Sequence, residues 1–337
     1  MNKKIMRFFG WDILIAVVGL ILLYYIGGLT ALWIGFLLML LEITLSFDNA
    51  VVNAKVLEQM TEKWKKRFIT WGIAIAVFGT RFVLPIVIVS IVAGISPWGV
   101  ASMAIFDASQ YGTLLDSTKF AIHSFGAAFL LMVALKYFFD RSKKVHWFVW
   151  LEKKLSHWGY IESLEIIIVL VGLVGMSYLV PQFEQFTVLV SGVLGMVLFI
   201  VMHGITSMMS LDTSKAGSMG LAAFIYLEIL DASFSLDGVI GAFALTNSVL
   251  VIVIGLGVGA VFVRSLTLYM VKEKTLSVLR YLEHGAHWAI FALALSMFVS
   301  LIHEVPEVVT GTIGIAFVLF AYISSMRVNK KERTKVS

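Results

Sequence analysis

Cysteine is absent from the 337 residues of the chain, and both proline (4 residues) and charged residues (14%) are scarce. The absence of cysteine excludes disulfide bonds, thiolate metal sites and cysteine nucleophiles. Charged residues normally make up about a quarter of a soluble domain. This chain is instead 60% apolar, with a mean hydropathy of +0.94, so it has too few polar residues to cover its surface. Much of its exterior must therefore face lipid.

Long apolar runs fill most of the chain. A helix needs about 20 mainly apolar residues to cross a bilayer. We therefore predict an all-α polytopic membrane helix bundle of about ten transmembrane helices, folded as one membrane domain over residues 1–337. The predicted spans are 11–27, 30–56, 68–94, 119–139, 162–180, 186–208, 219–245, 249–271, 285–302 and 308–325.

Positive charge is spread over the short loops between these spans. The formal net charge of +5 therefore does not indicate nucleic-acid binding. If the N-terminus lies inside, the inner loops hold nearly all loop lysines and arginines, as the positive-inside rule requires. We therefore predict a multi-pass protein of the bacterial cell (inner) membrane with both termini in the cytoplasm. Residues 140–161 alternate aromatic and basic side chains, which predicts an amphipathic cytoplasmic connector.

Seven charged residues fall deep inside the predicted spans, more than three residues from either end, where each costs about 2.5–3.5 kcal/mol on the translocon scale. They are the acids Glu42, Asp48, Glu228, Asp231 and Asp237 and the bases Arg81 and Arg264. A single intramembrane acid is often the structural partner of a nearby base. Here five negative charges face two positive charges, so the arginines can act as charge partners for only part of the set. The remaining acids require protons or a bound cation.

The acids occur in two similar motifs. Residues Glu42–Val51 read E-I-T-L-S-F-D-N-A-V, and Asp231–Ile240 read D-A-S-F-S-L-D-G-V-I. One intramembrane arginine follows each motif in the next predicted helix. Under the predicted topology the two motif helices cross the membrane in opposite directions, so the copies form an inverted internal repeat. Such repeats, with polar sites near the midplane, recur in secondary transporters. The repeats are predicted over about 11–139 and about 186–325.

The two motifs are rich in oxygen ligands, which hard and borderline divalent cations prefer. The predicted metal ligands are Glu42, Asp48, Asn49, Glu228, Asp231 and Asp237. Further candidates for metal binding or gating are His123, Thr44, Ser46, Ser235 and His287, although such histidines are more often core or interfacial residues. On an unbroken helix the two acids of one motif point about 120° apart. Unwinding at residues 46–49 and 235–238 would bring them together.

At these motifs the sequence resembles the TerC family of integral membrane proteins, within the LysE-type exporter superfamily. The matching blocks are E-x-x-L-S-F-D-N-A at Glu42–Ala50 and D-x-x-F-S-L-D-G-V-I-G-A-F-A-L-T at Asp231–Thr246. Residues 238–241 read Gly-Val-Ile-Gly where the family has Ser-Ile-Pro-Ala. The rest of the chain resembles a longer bacterial branch of unknown-function members. The resemblance implies metal-ion efflux, manganese above all, with the acidic repeat residues as ligands.

We therefore expect a secondary transporter, not an enzyme, that exports a divalent cation by alternating access. Mn²⁺ is the favoured cation, proton coupling is an option, and no resident cofactor is expected. An alternative is a membrane scaffold or metal-loading partner for other membrane or exported proteins, with residues 145–158 as its docking surface. A less favoured alternative is an intramembrane aspartyl hydrolase, which would need Asp48 and Asp237 close enough to share a proton.

Overall fold

A computed structural model describes residues 8–210, 216–246 and 248–336. These residues form helices and loops without strands, so the predicted all-α membrane fold is confirmed. In chain order the elements are α1 (Gly10–Leu45), α2 (Phe47–Glu58), α3 (Glu62–Ala74), a π-helix (Ile75–Val83), α4 (Leu84–Ala93), α5 (Pro97–Phe106), α6 (Ala108–Ser117), α7 (Lys119–Phe139), α8 (Val149–Trp158), α9 (Leu164–Ser177), α10 (Gln185–Ser210), α11 (Ala216–Leu245), α12 (Val249–Lys272), α13 (Thr275–Val278), α14 (Leu282–Ser300) and α15 (Glu307–Val336).

Seven helical stretches among the described residues are long and apolar enough to cross a membrane, fewer than the ten predicted spans. The first predicted span and most of the second (30–56) lie in one helix, α1, and the second span ends in α2. Span 162–180 contains only the 14-residue α9. Span 219–245 lies in α11, which carries three carboxylates. The seven stretches are Gly10–Leu45, Glu62–Ala93, Lys119–Phe139, Gln185–Ile205, Val249–Lys272, Leu282–Ser300 and Val309–Lys330.

A break at Gly27 and Gly28 divides α1 into two arms. Gly28 has φ 64° and ψ −154°, a backbone conformation that glycine adopts without steric cost. Both arms then lie against α12, the first running opposite to it and the second running with it. The contacts, in order along the arms, are Asp12 with Ser265 and Gly19 with Val258, then Gly35 with Gly255 and Glu42 with Gly259. The two arms of α1 are therefore antiparallel.

The main hydrophobic core surrounds α7, which packs against α10 and α14. Small residues permit close approach at these contacts, as is common between membrane helices. Gly126 faces the Met297 side chain, and a Cβ at Gly195 would collide with the Phe125 carbonyl oxygen. The packing leaves α11 and the second arm of α1 side by side in the interior, where the two motifs meet.

The connector between the two predicted repeats contains the short helix α8. Its Trp150 side chain is exposed, whereas Glu152 on the opposite side is fully buried. This two-sided arrangement agrees with an amphipathic helix. The placement of α8 at a cytoplasmic membrane surface, and the repeat boundaries on either side of it, stay predictions.

Candidate functional site

The first cluster consists of Glu42, Ser46, Thr80 and Arg81, and its centre is a buried ion pair. Arg81 Nη2 lies 2.5 Å from Glu42 Oε1, and Ser46 Oγ donates to the same oxygen at 2.8 Å. Arg81 Nη1 also donates to the Ala76 carbonyl and, at 3.1 Å, to the Thr80 hydroxyl. These hydrogen bonds offset part of the cost of removing both charges from water. Arg81 lies in the π-helix, an irregularity that is frequent at functional sites.

The second cluster consists of Asn49, Glu228, Asp231 and Arg264. Arg264 donates from Nη1 and Nη2 to the two Glu228 carboxylate oxygens, each at 2.8 Å. Its Nη2 also lies 3.3 Å from Asp231 Oδ2, while Asn49 Nδ2 donates to Asp231 Oδ1 at 2.8 Å. The guanidinium lies over the Phe68 ring at 4.3 Å. A bidentate contact of this kind holds the arginine in one orientation.

Corresponding residues of the two motifs make corresponding contacts. Glu42 opens the first motif and binds Arg81, and Asp231 opens the second motif and binds Arg264. In each case the arginine belongs to the helix that follows the motif. The predicted charge-partner role of both arginines thus agrees with where the structure places them.

The two motif helices run antiparallel. Asn49, near the end of the first motif, bonds Asp231, at the start of the second. Conversely, a Cβ at Gly238, late in the second motif, would lie 3.9 Å from Glu42 Oε2, at the start of the first. This is the direction that the inverted repeat predicts for its two motifs.

A pocket opens beside the first cluster. Glu42, Ser46 and Asp48 form its acidic wall. Asp48 is only 4% exposed, and no ion pair to it occurs among the described residues. The other helices contribute mostly small and apolar residues to the lining: Phe234, Gly238, Ala289, Thr310, Gly311 and Gly314. The pocket therefore combines an acid without a counter-charge with walls that leave room for an ion.

The predicted hydroxyl ligands are placed differently from one another. Ser46 lines the pocket, and Ser235 lies 3.5 Å from the Thr80 hydroxyl at the first cluster. Thr44 is exposed, and its hydroxyl donates to the carbonyls of Leu40 and Leu41 in its own helix. The structure therefore does not bring Thr44 to the pocket.

The two candidate histidines lie away from the pocket lining. His123 is buried on α7. His287 on α14 stacks on the Tyr137 ring at 3.6 Å, and its Nδ1 lies 2.8 Å from the Glu283 carbonyl oxygen. In this arrangement both histidines contact other parts of the bundle.

The expected unwinding is absent from the second motif helix and is limited to one residue, Ser46, in the first. The α11 helix is continuous through residues 235–238. At Ser46 the chain departs from helical geometry (φ −95°, ψ 13°) between α1 and α2. The Ser46 N–H still bonds the Glu42 carbonyl at 3.0 Å, and the Ser46 carbonyl accepts from the Ala50 N–H at 3.0 Å. These two backbone hydrogen bonds therefore persist across the interruption.

No ready-made metal centre is present in the part of the chain that the structure describes, since no group of three or more His, Cys, Asp or Glu side chains is arranged to hold a metal ion there. The predicted ligand Asp237 belongs to α11, but its side chain lies outside the described residues. A cation in the pocket would first meet Glu42 and Asp48, one of which is paired with arginine.

Three buried groups of the structure were not predicted from the sequence. Thr310 and Gly311 line the pocket from α15, where only an apolar span was predicted. Glu152 is buried against α14, in the segment that was predicted to be an amphipathic connector. Asn53 lies 3% exposed on α2, one turn after Asn49. The only sequence signals were a single acid in a basic segment and a second asparagine at helical spacing.

Taken together, the helices and clusters define a multi-pass membrane protein with two buried acid–arginine clusters at the contact between its motif helices. The chain belongs to the family described as "Protein of unknown function (DUF475)", whose model matches residues 47–332. Comparison with curated proteins and with solved structures finds no match. The resemblance to the TerC family and the LysE-type exporters stays a prediction.

Proposed function

We propose that this protein is a secondary transporter that exports a divalent metal cation, with Mn²⁺ favoured, across the bacterial inner membrane. The observation that carries the proposal is the pocket beside the first cluster, where Asp48 has no ion-pair partner among the described residues and lies next to Glu42. A buried carboxylate without a counter-charge is costly in a membrane-embedded bundle. A bound cation is the occupant that removes this cost.

The charges of the pocket favour a divalent cation. Glu42 and Asp48 together exceed the charge of Arg81 by one. If the predicted ligand Asp237 joins them, three carboxylates, one guanidinium and one divalent cation sum to zero. Carboxylate and hydroxyl oxygens are the ligands that Mn²⁺ and Mg²⁺ prefer, and the pocket contains no softer donor among its lining residues.

The Glu42–Arg81 pair offers a link between ion occupancy and conformation. An arriving cation would compete with Arg81 for the Glu42 carboxylate. Arg81 already contacts the Thr80 hydroxyl and the Ala76 carbonyl, so these groups could retain the guanidinium when Glu42 turns to the ion. A ligand shifts a conformational equilibrium by its different affinities for the two states. In this proposal the exchange of Glu42 partners supplies that difference.

The direct test is Mn²⁺ flux through the purified full chain in liposomes. We expect Asp48→Asn to lower the initial flux at least tenfold, because the amide keeps the shape of the carboxylate and removes its charge. The matched control is Asp12→Asn. Asp12 is also a buried acid, but it bonds Ser265 and does not line the pocket, so its variant should keep the wild-type flux.

Two outcomes would contradict the proposal. Wild-type flux in Asp48→Asn would show that the pocket acid is not needed. Absence of flux for every divalent cation tested in the wild-type protein would favour the alternative of a membrane scaffold or metal-loading partner.

A further inference from the structure

Two asparagine side chains on α2 have carbonyl oxygens without hydrogen-bond partners. Asn49 is 0% exposed and Asn53 is 3% exposed. The Oδ1 atoms of both are buried and receive no hydrogen bond in the described structure. A buried acceptor without a partner costs free energy that a fold seldom leaves uncompensated. The two residues are four apart, so they lie on the same face of the helix.

The orientation of the Asn49 amide follows from its neighbour. Its Nδ2 donates to Asp231 Oδ1 at 2.8 Å. The opposite orientation would place the amide oxygen against the carboxylate, where it could donate nothing. Asn49 Oδ1 is therefore the free end of the amide.

The second cluster carries one negative charge in excess. Among the residues that the structure describes, Arg264 is the ion-pair partner of both Glu228 and Asp231. All four carboxylate oxygens already accept a hydrogen bond, three from Arg264 and one from Asn49. A proton could take a second lone pair of one of these oxygens, but it would leave both amide oxygens without a partner, whereas a metal cation could bind the two amide oxygens. A single positive charge balances the excess, and a divalent cation would exceed it.

The antiparallel register of α2 and α11 points to a position for Asn53 near this excess charge. The α2 and α11 helices run antiparallel, with Asn49 beside Asp231 and Leu57 in one cluster with Phe224 and Leu227. Asn53 lies halfway between positions 49 and 57, so it faces the turn of α11 that contains Glu228.

We propose that Asn49 and Asn53 form a binding site for a monovalent metal cation of the Na⁺ type, held beside Asp231 and Glu228. Backbone carbonyl oxygens coordinate Na⁺ in membrane transporters. The side-chain carbonyl oxygen of asparagine is a ligand of the same chemical type. The site is distinct from the pocket at Asp48. The assignment of this Na⁺ as the coupling ion of transport rests on the proposed function. The binding of Na⁺ at this site does not depend on that function.

The experiment measures binding to the purified full chain in detergent without divalent cations. Increasing NaCl should raise the apparent Tm of the wild type, because an ion that binds only the folded state stabilises it. KCl and choline chloride at equal ionic strength serve as controls. In Asn53→Leu, the Na⁺ concentration that gives half of the maximal increase in apparent Tm should be at least tenfold higher than in the wild type. Asn53→Asp retains an oxygen ligand and should keep the response.

Thr267→Val is the matched control for loss of a buried polar group. Its hydroxyl is buried on α12 and donates only to the Val263 carbonyl, so this variant should respond to Na⁺ like the wild type. Equal stabilisation by Na⁺, K⁺ and choline would overturn the proposal as an ionic-strength effect. An unchanged Na⁺ response in Asn53→Leu would overturn it as well. Both results are independent of whether Asp48→Asn abolishes Mn²⁺ flux.

Discussion

The indole N–H of Trp288 donates to the carboxylate of Glu152 at 3.0 Å and thereby joins the connector helix α8 to α14. The same carboxylate lies 2.7 Å from His284 Nδ1 and accepts the Trp147 backbone N–H at 3.0 Å. Residue Ala289, directly after Trp288, lines the acidic pocket. The contact of Glu152 therefore holds in place a helix that forms part of the pocket wall.

Replacement of Glu152 by glutamine should lower the stability of the protein above pH 4.5. Burial alone would raise the pKa of Glu152, but hydrogen bonds and charge attraction from His284, with the N–H groups of Trp288 and Trp147, lower it to about 2. A carboxyl with a depressed pKa contributes stability above its unfolded pKa and loses it as the pH falls toward the folded pKa. The contribution is of order 3 kcal/mol.

The measurement for Glu152 is the apparent Tm of wild type and Glu152→Gln in detergent between pH 7 and pH 3. The difference between the two proteins should be largest above pH 4.5 and shrink below it. A difference that stays constant over this range would show that the ionised carboxylate is not the source of the stabilisation.

Removing one member of the Glu42–Arg81 pair should lower the stability of the protein more than removing both charges. Arg81→Leu leaves the Glu42 carboxylate buried with the Ser46 hydroxyl as its remaining side-chain partner, and such a change typically costs about 3–5 kcal/mol. The double variant Glu42→Gln with Arg81→Leu should recover part of this loss. Thermal unfolding of the four proteins of the cycle gives the coupling energy, and strictly additive effects would contradict the pairing.

Gly255→Ala should destabilise the contact between α12 and the second arm of α1. A Cβ at Gly255 would lie 3.0 Å from the Gly35 carbonyl oxygen and 3.2 Å from its Cα, and backbone atoms cannot easily move away. Gly238→Ala is the matched control, because its nearest contact would be Glu42 Oε2 at 3.9 Å. We expect a lower apparent Tm for the first variant only. Equal values for both would contradict the close packing at Gly255.

Gly28→Ala should strain the turn between the arms of α1. A non-glycine residue in the left-handed region costs about 1–2 kcal/mol, even though a Cβ here meets no atom within 4 Å. Gly175 on α9 also has open space but no positive φ, so Gly175→Ala should be neutral or stabilising, as expected for a helical glycine. Apparent Tm values of the two variants check the prediction, and an unaffected Gly28→Ala would argue against the turn.

Several features of the molecule were decided by residue chemistry alone. The apolar runs and the scarcity of charges determined that the protein is a helical membrane protein, because the free energy of placing a side chain in a bilayer depends on its residue type. The repeated acidic motifs and the arginines after them also identified Glu42, Arg81, Asp231 and Arg264, which the structure joins in pairs. Charges inside an apolar span are informative because they must find partners.

Other features depended on contacts between residues far apart in the chain. Only the tertiary structure placed Thr310 of α15 in the lining of the same pocket as Glu42, buried Glu152 under Trp288, and left the Asn53 oxygen without a partner among the described residues. Local spacing also favoured unwound motif helices, whereas α11 remains continuous. Periodicity specifies which face of a helix is apolar, but the partner of that face is chosen by packing of the whole bundle. The sequence therefore determined which charges enter the membrane, and the tertiary structure decided which of them are neutralised by arginine and which remains open in the pocket.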